Sequence, residues 1–289
     1  MIDDPIIASQ TPAEDFTIRQ VWDAYSDEEH GVWDTLYERQ SELLKGRTTQ
    51  EFLNGLKKLS LSEGGIPNLD DLNPKLEALT GWKVVMVPHL VPDDVFFNHL
   101  ANRRFPAGRF IRKADQLDYL QEPDIFHDIF GHVPLLTQPI FADYMEAYGK
   151  GGLRALEYDG LKNLARLYWY TVEFGLIKTS EGLRHYGAGI VSSFGEAQYS
   201  LESPSPHRIE FDLMRVMQTD YKIDDYQDVY FVIDSFEQLF EATQQDFVPL
   251  YNQLAKASEA YTPQTILETD SVLQKGTLEY SQGKFASKR

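Results

Sequence analysis

Leu167 to Ile177 reads LYWYTVEFGLI, eleven residues with one formal charge, Glu173, bracketed by Arg166 and Lys178. A stretch this apolar belongs inside a fold, where an unpaired carboxylate is strongly destabilised or takes up a proton. The chain must therefore bring a positive group to Glu173. Two are open at this point, an arginine in a buried ion pair or a metal cation. There is no cysteine, which excludes disulfides, zinc–thiolate sites, iron–sulfur clusters and thiol nucleophiles. Any metal is held by nitrogen and oxygen.

The 289 residues allow one large domain or two small ones, and 42% hydrophobic with 25% charged residues excludes wholesale disorder. Aromatic residues reach 13%, which points to a core or pocket built from rings. With 27 basic and 45 acidic residues the formal charge is −18, a surface that repels phosphate backbones and anionic headgroups. No nucleic-acid or membrane partner is expected. The first residues, MIDDPIIASQTPAEDF, have no basic region and no apolar stretch, so an export leader is not expected and the cytoplasm is the expected compartment. No apolar run approaches the roughly 18 residues of a membrane span.

Along the chain, residues 1–25 read as an acidic arm on the surface. Ser26-Asp27-Glu28-Glu29 is a helix start, with a Ser cap and acids on the first turn. Further helical patterns occupy 49–59, 70–80, 93–102, 115–132, 138–148, 161–178, 209–218 and 234–258. Trp82 to Val87 is the best strand pattern, closed by Pro88, and Tyr230 to Ile233 is a second. These elements predict one mainly α domain with a small β component (α+β) over 26–261. A polar, loosely held tail is expected over 262–289.

The strongest local signal is EPDIFHDIFGHVPLL, beginning at Glu122, with His127 and His132 five residues apart in apolar surroundings. On a straight α-helix that spacing turns the imidazoles about 140° from each other. Gly131 and Pro134 mark a helix end or loosening that removes this objection. Either both are core histidines bonded to carbonyls, or they are ligands. Two imidazoles and the Glu173 carboxylate form the donor set of a 2-His-1-carboxylate face with open positions, and equally of a catalytic zinc.

Together, EPDIFHDIFGHVPLL, ARLYWYTVEFGLI and YGAGIVSSFGEAQY resemble the pterin-dependent aromatic amino acid hydroxylases, in family order from about Tyr25 to Tyr251. Among the members, the bacterial ones acting on phenylalanine are the most similar. The resemblance implies a single catalytic domain over 26–261 that para-hydroxylates L-phenylalanine to L-tyrosine with O2, Fe(II) and a tetrahydropterin. It implies His127, His132 and Glu173 as iron ligands, and Arg112 as receiver of the substrate α-carboxylate. A guanidinium fork suits that task, although Arg103, Arg104, Arg109 and Arg112 also read as a solvated basic cluster. Trp169, four residues before Glu173, is placed against the substrate ring, with Phe174, Pro123, Gly189 and Ser192 also in the substrate pocket. Glu196 is implied in the layer of residues behind the iron ligands.

For the pterin the resemblance implies Phe96 as stacking platform, with Val91, Asp128, Ala165 and Tyr168 nearby. Asp93, Asp128 and Leu120 depart from animal relatives, which carry a small hydroxyl residue, a glutamate and a threonine there. Taken without the resemblance, Trp169 and Phe96 also read as ordinary core rings, and Gly187 to Gly195 as a plain glycine-containing loop. Tyrosine or tryptophan hydroxylation and a His2Glu zinc hydrolase with Asp128 as base are the alternatives. Ile223, at a loop position that is acidic in tyrosine hydroxylases, favours phenylalanine. Residues 262–289 lack sustained heptads, and a monomer is expected.

Overall fold

The start signal at Ser26 forms a capping box. The Ser26 hydroxyl accepts from Glu29 N, and the Glu29 carboxylate returns to Ser26 N, opening α2 (Asp27–Leu43). A short α1 (Pro5–Ala8), capped by Asp4, precedes it. The computed structural model describes residues 4–118, 122–256 and 259–283. Thr49 caps α3 (Gln50–Lys58), and Asn68 caps α4 (Leu69–Thr80), which ends on a left-handed Gly81. The β-branched run forms β1 (Lys83–Val87), followed by α5 (Asp93–Ala101) and β2 (Arg104–Gly108), which pairs parallel to β1.

The rest of the chain contains α6 (Pro139–Ala155), α7 (Leu161–Tyr168), β3 (Leu176–Thr179), β4 (Gly182–His185), α8 (Ala188–Val191) and α9 (Phe194–Glu202). Then come β5 (His207–Glu210), α10 (Leu213–Met217), β6 (Val229–Ile233), α11 (Phe236–Thr243), α12 (Phe247–Leu254) and β7 (Val272–Gln274). A five-stranded sheet has the order β4-β3-β6-β5-β7, with β3/β6 and β6/β5 parallel and the outer pairs antiparallel. No described helix is long and apolar enough to cross a membrane.

Four expected helices are shorter or divided. Among the described residues of 115–132 the helix begins only at Ile125, because Asp124 caps there with its carboxylate accepting from His127 N. The pattern at 161–178 stops at Glu173. Beyond Gly175, Leu176 and Ile177 pair with Val232 and Ile233 as strand. In 209–218, Ile209 lies on β5, and Asp212 caps the short α10. Asp246 restarts the chain within 234–258 as a separate α12. In each case a local cap or a strand partner outweighs helical periodicity.

The two flanks are tied down. In the N-terminal segment Ile18 bridges to Met86 on β1, Asp15 pairs with Arg104, and Asp4 forms a buried ion pair with Arg109. The segment expected to be a loose tail supplies β7. Beyond it Gly276 N donates to His207 Nδ1, and the Tyr280 hydroxyl donates to Asp225. The last residues, 284–289, lie outside the described residues.

The core meets the middle of the chain through rings. Trp33 and Tyr37 of α2 and Phe52 of α3 pack edge-on against Phe126 and Phe130, which stack on each other at 4.7 Å. Close contact of α3 with the 133–137 turn depends on Gly55, where a Cβ would lie 2.1 Å from Pro134 O. Gly55→Ala is therefore expected to cost about 1–3 kcal/mol through overpacking against backbone. A lowered urea midpoint with an unchanged m-value would record it, and an unchanged midpoint would contradict this packing.

Candidate active site

Two helical segments with widened turns converge. Phe126–His132 is a π-helix, and so is Trp169–Glu173, closed by a bond from Phe174 N to Trp169 O at 2.8 Å. In a π-helix the backbone bond runs from i to i+5, so residues five apart stack on one face. This brings His127 and His132 together, the loosening expected there taking the form of a π-helix that ends at His132. Their Nε2 atoms are 3.2 Å apart, while Glu173 oxygens lie 3.2 Å from His132 Nε2 and 3.6 Å from His127 Nε2.

Glycines let α8 press against both segments. A Cβ on Gly131 would stand 3.1 Å from Ala188 O, and one on Gly187 would stand 2.3 Å from Glu173 O. The Gly189 N–H bonds the Glu173 carboxylate. Burial raises that carboxyl's pKa, but the two imidazoles and this N–H outweigh it and hold the group below its usual range. Burial lowers His127 to about 4, the neutral form a metal ligand needs.

The donor set fits a divalent cation. Atoms about 2.1 Å from a common ion lie about 3.0 Å apart at right angles and about 3.4 Å apart at the tetrahedral angle. The observed separations, 3.2 to 3.6 Å, span the tetrahedral value and lie a few tenths of an ångström above the right-angle one. The tautomer is right as well: the Ser192 hydroxyl donates to Ala188 O at 2.7 Å, so it accepts from His127 Nδ1 at 2.9 Å and leaves the Nε2 lone pair facing inward. His132 is held between the Phe105 ring at 4.7 Å and Tyr168 at 6.2 Å. His127, His132 and Glu173 are the group able to hold a metal found among the described residues, and all their ligand atoms lie within 4.8 Å of one another.

Around the triad the other predicted residues fall on several sides. Phe96 on α5 meets Tyr168 at 5.9 Å, and Ala165 lies on α7, three residues before Tyr168; Val91 is half-buried just ahead of α5. Asp128 accepts from Gly108 N at 2.8 Å, and burial pushes its carboxyl up to about 7. Trp169 packs on Phe174 at 4.8 Å, and Gly189 leaves the space that the Phe174 ring fills. Pro123 is exposed beside buried Asp124.

Several expectations need correction. The basic cluster does not exist as such, because Arg103, Arg104, Arg109 and Arg112 each pair with different acids. Arg112 is buried, and Asp124 takes its Nε at 2.8 Å and Nη2 at 2.9 Å, while Nη1 reaches Leu117 O at 3.3 Å. Of the five guanidinium N–H groups, one on each terminal nitrogen remains. Glu196 accepts from Gln227 N and the Tyr230 hydroxyl, and burial pushes it up to about 7. Ile223 is 78% exposed and walls no pocket, since Tyr221 takes the place against Trp169 with rings stacked at 4.3 Å. Leu120 lies outside the described residues.

Asp124, Gly108, Tyr221 and Gln227 went unread in the sequence. Asp124 had a signal, an acid three residues before a helix-borne His, the position of an N-cap. The others come from remote segments with no local mark.

The sequence profile described as biopterin-dependent aromatic amino acid hydroxylase matches residues 16–279. The phenylalanine-4-hydroxylase of Caulobacter vibrioides is 61% identical over 267 residues, 92% of this chain and 90% of that protein. The one from Chromobacterium violaceum is 61% identical over 245 residues, 85% of this chain and 82% of that protein. A crystal structure of the latter organism's phenylalanine hydroxylase with iron and phenylalanine bound has a TM-score of 0.88 at 55% identity. It covers 93% of this chain and 98% of that one.

Removing either the carboxylate or the orienting hydroxyl tests the site. Glu173→Ala is expected to abolish metal binding, and Ser192→Ala to weaken it about 10–100-fold, the usual cost of losing an outer partner of a ligand. Equilibrium dialysis against Fe(II) reads both; full loading of Glu173→Ala would sink the triad.

Proposed function

Because the chain belongs to the biopterin-dependent aromatic amino acid hydroxylases, we propose that it converts L-phenylalanine to L-tyrosine, with Fe(II) on His127, His132 and Glu173. The observation that carries this reading is the preset three-donor face, with His127 held by Ser192 in the ligating tautomer. When bound, Fe(II) and a reduced tetrahydropterin supply the activation of O2 and the electrons for inserting one oxygen atom into the ring, chemistry that no side chain here provides.

The chain's own task is orientation. The two unused N–H groups of Arg112 take the substrate α-carboxylate end-on, and Asp124 holds the guanidinium rigid for them. Trp169 and Phe174 wall the substrate ring, and Pro123, Gly189 and Ser192 complete that side. On the other side Phe96 offers a ring face to the pterin, with Val91, Asp128, Ala165 and Tyr168 around it. Glu196 acts behind this layer through Gln227. The protein works as a monomer in the cytoplasm, its described surface carrying scattered large apolar side chains. Light scattering at the mass of one chain supports the monomer, and twice that mass refutes it.

Phenylalanine is preferred because Trp169 and Tyr221 together leave little room for a second indole, while apolar walls give a phenol no partner. An apolar pocket rejects an added hydroxyl by about a hundredfold at most. Specificity constants are therefore expected in the order phenylalanine, tyrosine, tryptophan, measured on protein reconstituted anaerobically with Fe(II) and reduced pterin. Tyrosine as best substrate would overturn the assignment and leave the iron site standing. Arg112→Ala is expected to raise KM for phenylalanine more than tenfold, about 2 kcal/mol or more for a buried charged pair, with metal content unchanged. Zinc rather than iron at one per chain in unchelated protein would favour the hydrolase.

A further inference from the structure

Gln227 lies just before β6 and is 1% exposed. Its side-chain oxygen accepts from the Trp169 indole N–H at 3.1 Å. Its amide nitrogen donates to Lys222 O at 2.8 Å and to Asp225 O at 3.2 Å. A carboxamide has an acceptor oxygen and two N–H donors, and here the oxygen and both donors are engaged. Turning it over would set its NH2 against an indole N–H and its oxygen against two carbonyls, so only one orientation is tolerated. The backbone N–H of Gln227 donates to Glu196 at 3.3 Å, and Glu196 is itself buried and held by the Tyr230 hydroxyl.

The loop that Gln227 closes begins at Tyr221, whose ring lies flat on Trp169, 4.3 Å between centroids with planes 15° apart. Trp169 is thus held by its face at one end of the loop and by its edge at the other. It also opens the π-helical segment that ends in Glu173. A rotation of the indole about its own axis breaks the Gln227 bond and the Tyr221 stack together.

We propose that Gln227 is a positioning residue that fixes the Trp169 indole and the 221–227 loop as one wall, and so sets the register of the substrate ring. The inference rests on the reading above that Trp169 walls that ring. Three variants test it: Gln227→Leu, which keeps the volume, Trp169→Phe, which keeps a ring without the N–H, and the double variant. Calorimetric titration of the Fe(II)-loaded protein under nitrogen gives phenylalanine affinity apart from turnover. Near-UV circular dichroism reports the Trp169–Tyr221 stack.

Each single variant is expected to weaken phenylalanine binding about tenfold, the order of one buried hydrogen bond lost from a wall with its neighbours disturbed. The near-UV band should be reduced and iron content unchanged. The double variant should be no weaker than the worse single one, because both remove the same bond. Fully additive losses, or a Gln227→Leu protein with native affinity and native near-UV band, overturn the proposal. If Gln227→Leu does not fold, phenylalanine affinity of Trp169→Phe decides alone, and a native value overturns it. If Trp169→Ala also leaves affinity native, the assignment of Trp169 to the substrate wall fails with it; a weakened Trp169→Ala beside a native Gln227→Leu removes only the role of Gln227.

Discussion

The widened turn at Phe126–His132 is the constraint on which the site depends. An α-helical winding would send His127 and His132 to different faces, and no rotamer choice would recover a common one. The π-helical winding lacks the ordinary i to i+4 bonding, so it persists only where packing holds it. Here the hold is visible: Phe126 and Phe130 stack on the back of the segment, gripped by Trp33, Tyr37 and Phe52. Gly131 on the front admits α8. Five of the chain's aromatic residues are thus spent on holding a backbone shape. The same solution recurs at Trp169–Glu173, so both ligand-bearing segments carry the same departure from α-helix geometry.

Asp124 joins two functions that are separate in the sequence. Its carboxylate ends the loop by capping at His127 N, and both its oxygens hold Arg112. The metal-bearing segment and the proposed carboxylate receiver therefore share one buried acid. A comparable economy links Glu196, Gln227, Trp169 and Tyr221. Neither link involves neighbours in sequence, apart from the Asp124 cap.

What could be read in advance follows from how local each cause is. The capping box at Ser26, the β-branched run of β1 and the lone charge at Glu173 carry their reasons within a few residues, and each stands where it was expected. The three motifs placed the chain in its family and identified residues that do converge. The failures have non-local causes. Leu176 and Ile177 follow a helical pattern and become strand because β6 is there to pair with them. The arginine cluster looked like one surface, yet its partners come from three segments, Asp4 and Asp15 in the N-terminal segment, Asp124, and Asp143 and Glu146 on α6. Ile223, read from its loop position, is 78% exposed, and it is Tyr221, two residues earlier, that stacks on Trp169.

The fate of those arginines also bears on traffic to the site. Arg103, Arg104, Arg109 and Arg112 pair with acids inside the protein, and with all 27 basic residues counted against 45 acidic ones the chain still carries −18. At long range the molecule acts as an anion. A ferrous ion approaching it is drawn in by that field, and its encounter rate falls as added salt shortens the Debye length, about 8 Å at physiological ionic strength. An amino acid zwitterion has no net charge for the field to pull, so its arrival is governed by diffusion and its orientation by groups it meets only on contact. Metal uptake and substrate capture are in this way set by different ranges of the same electrostatics.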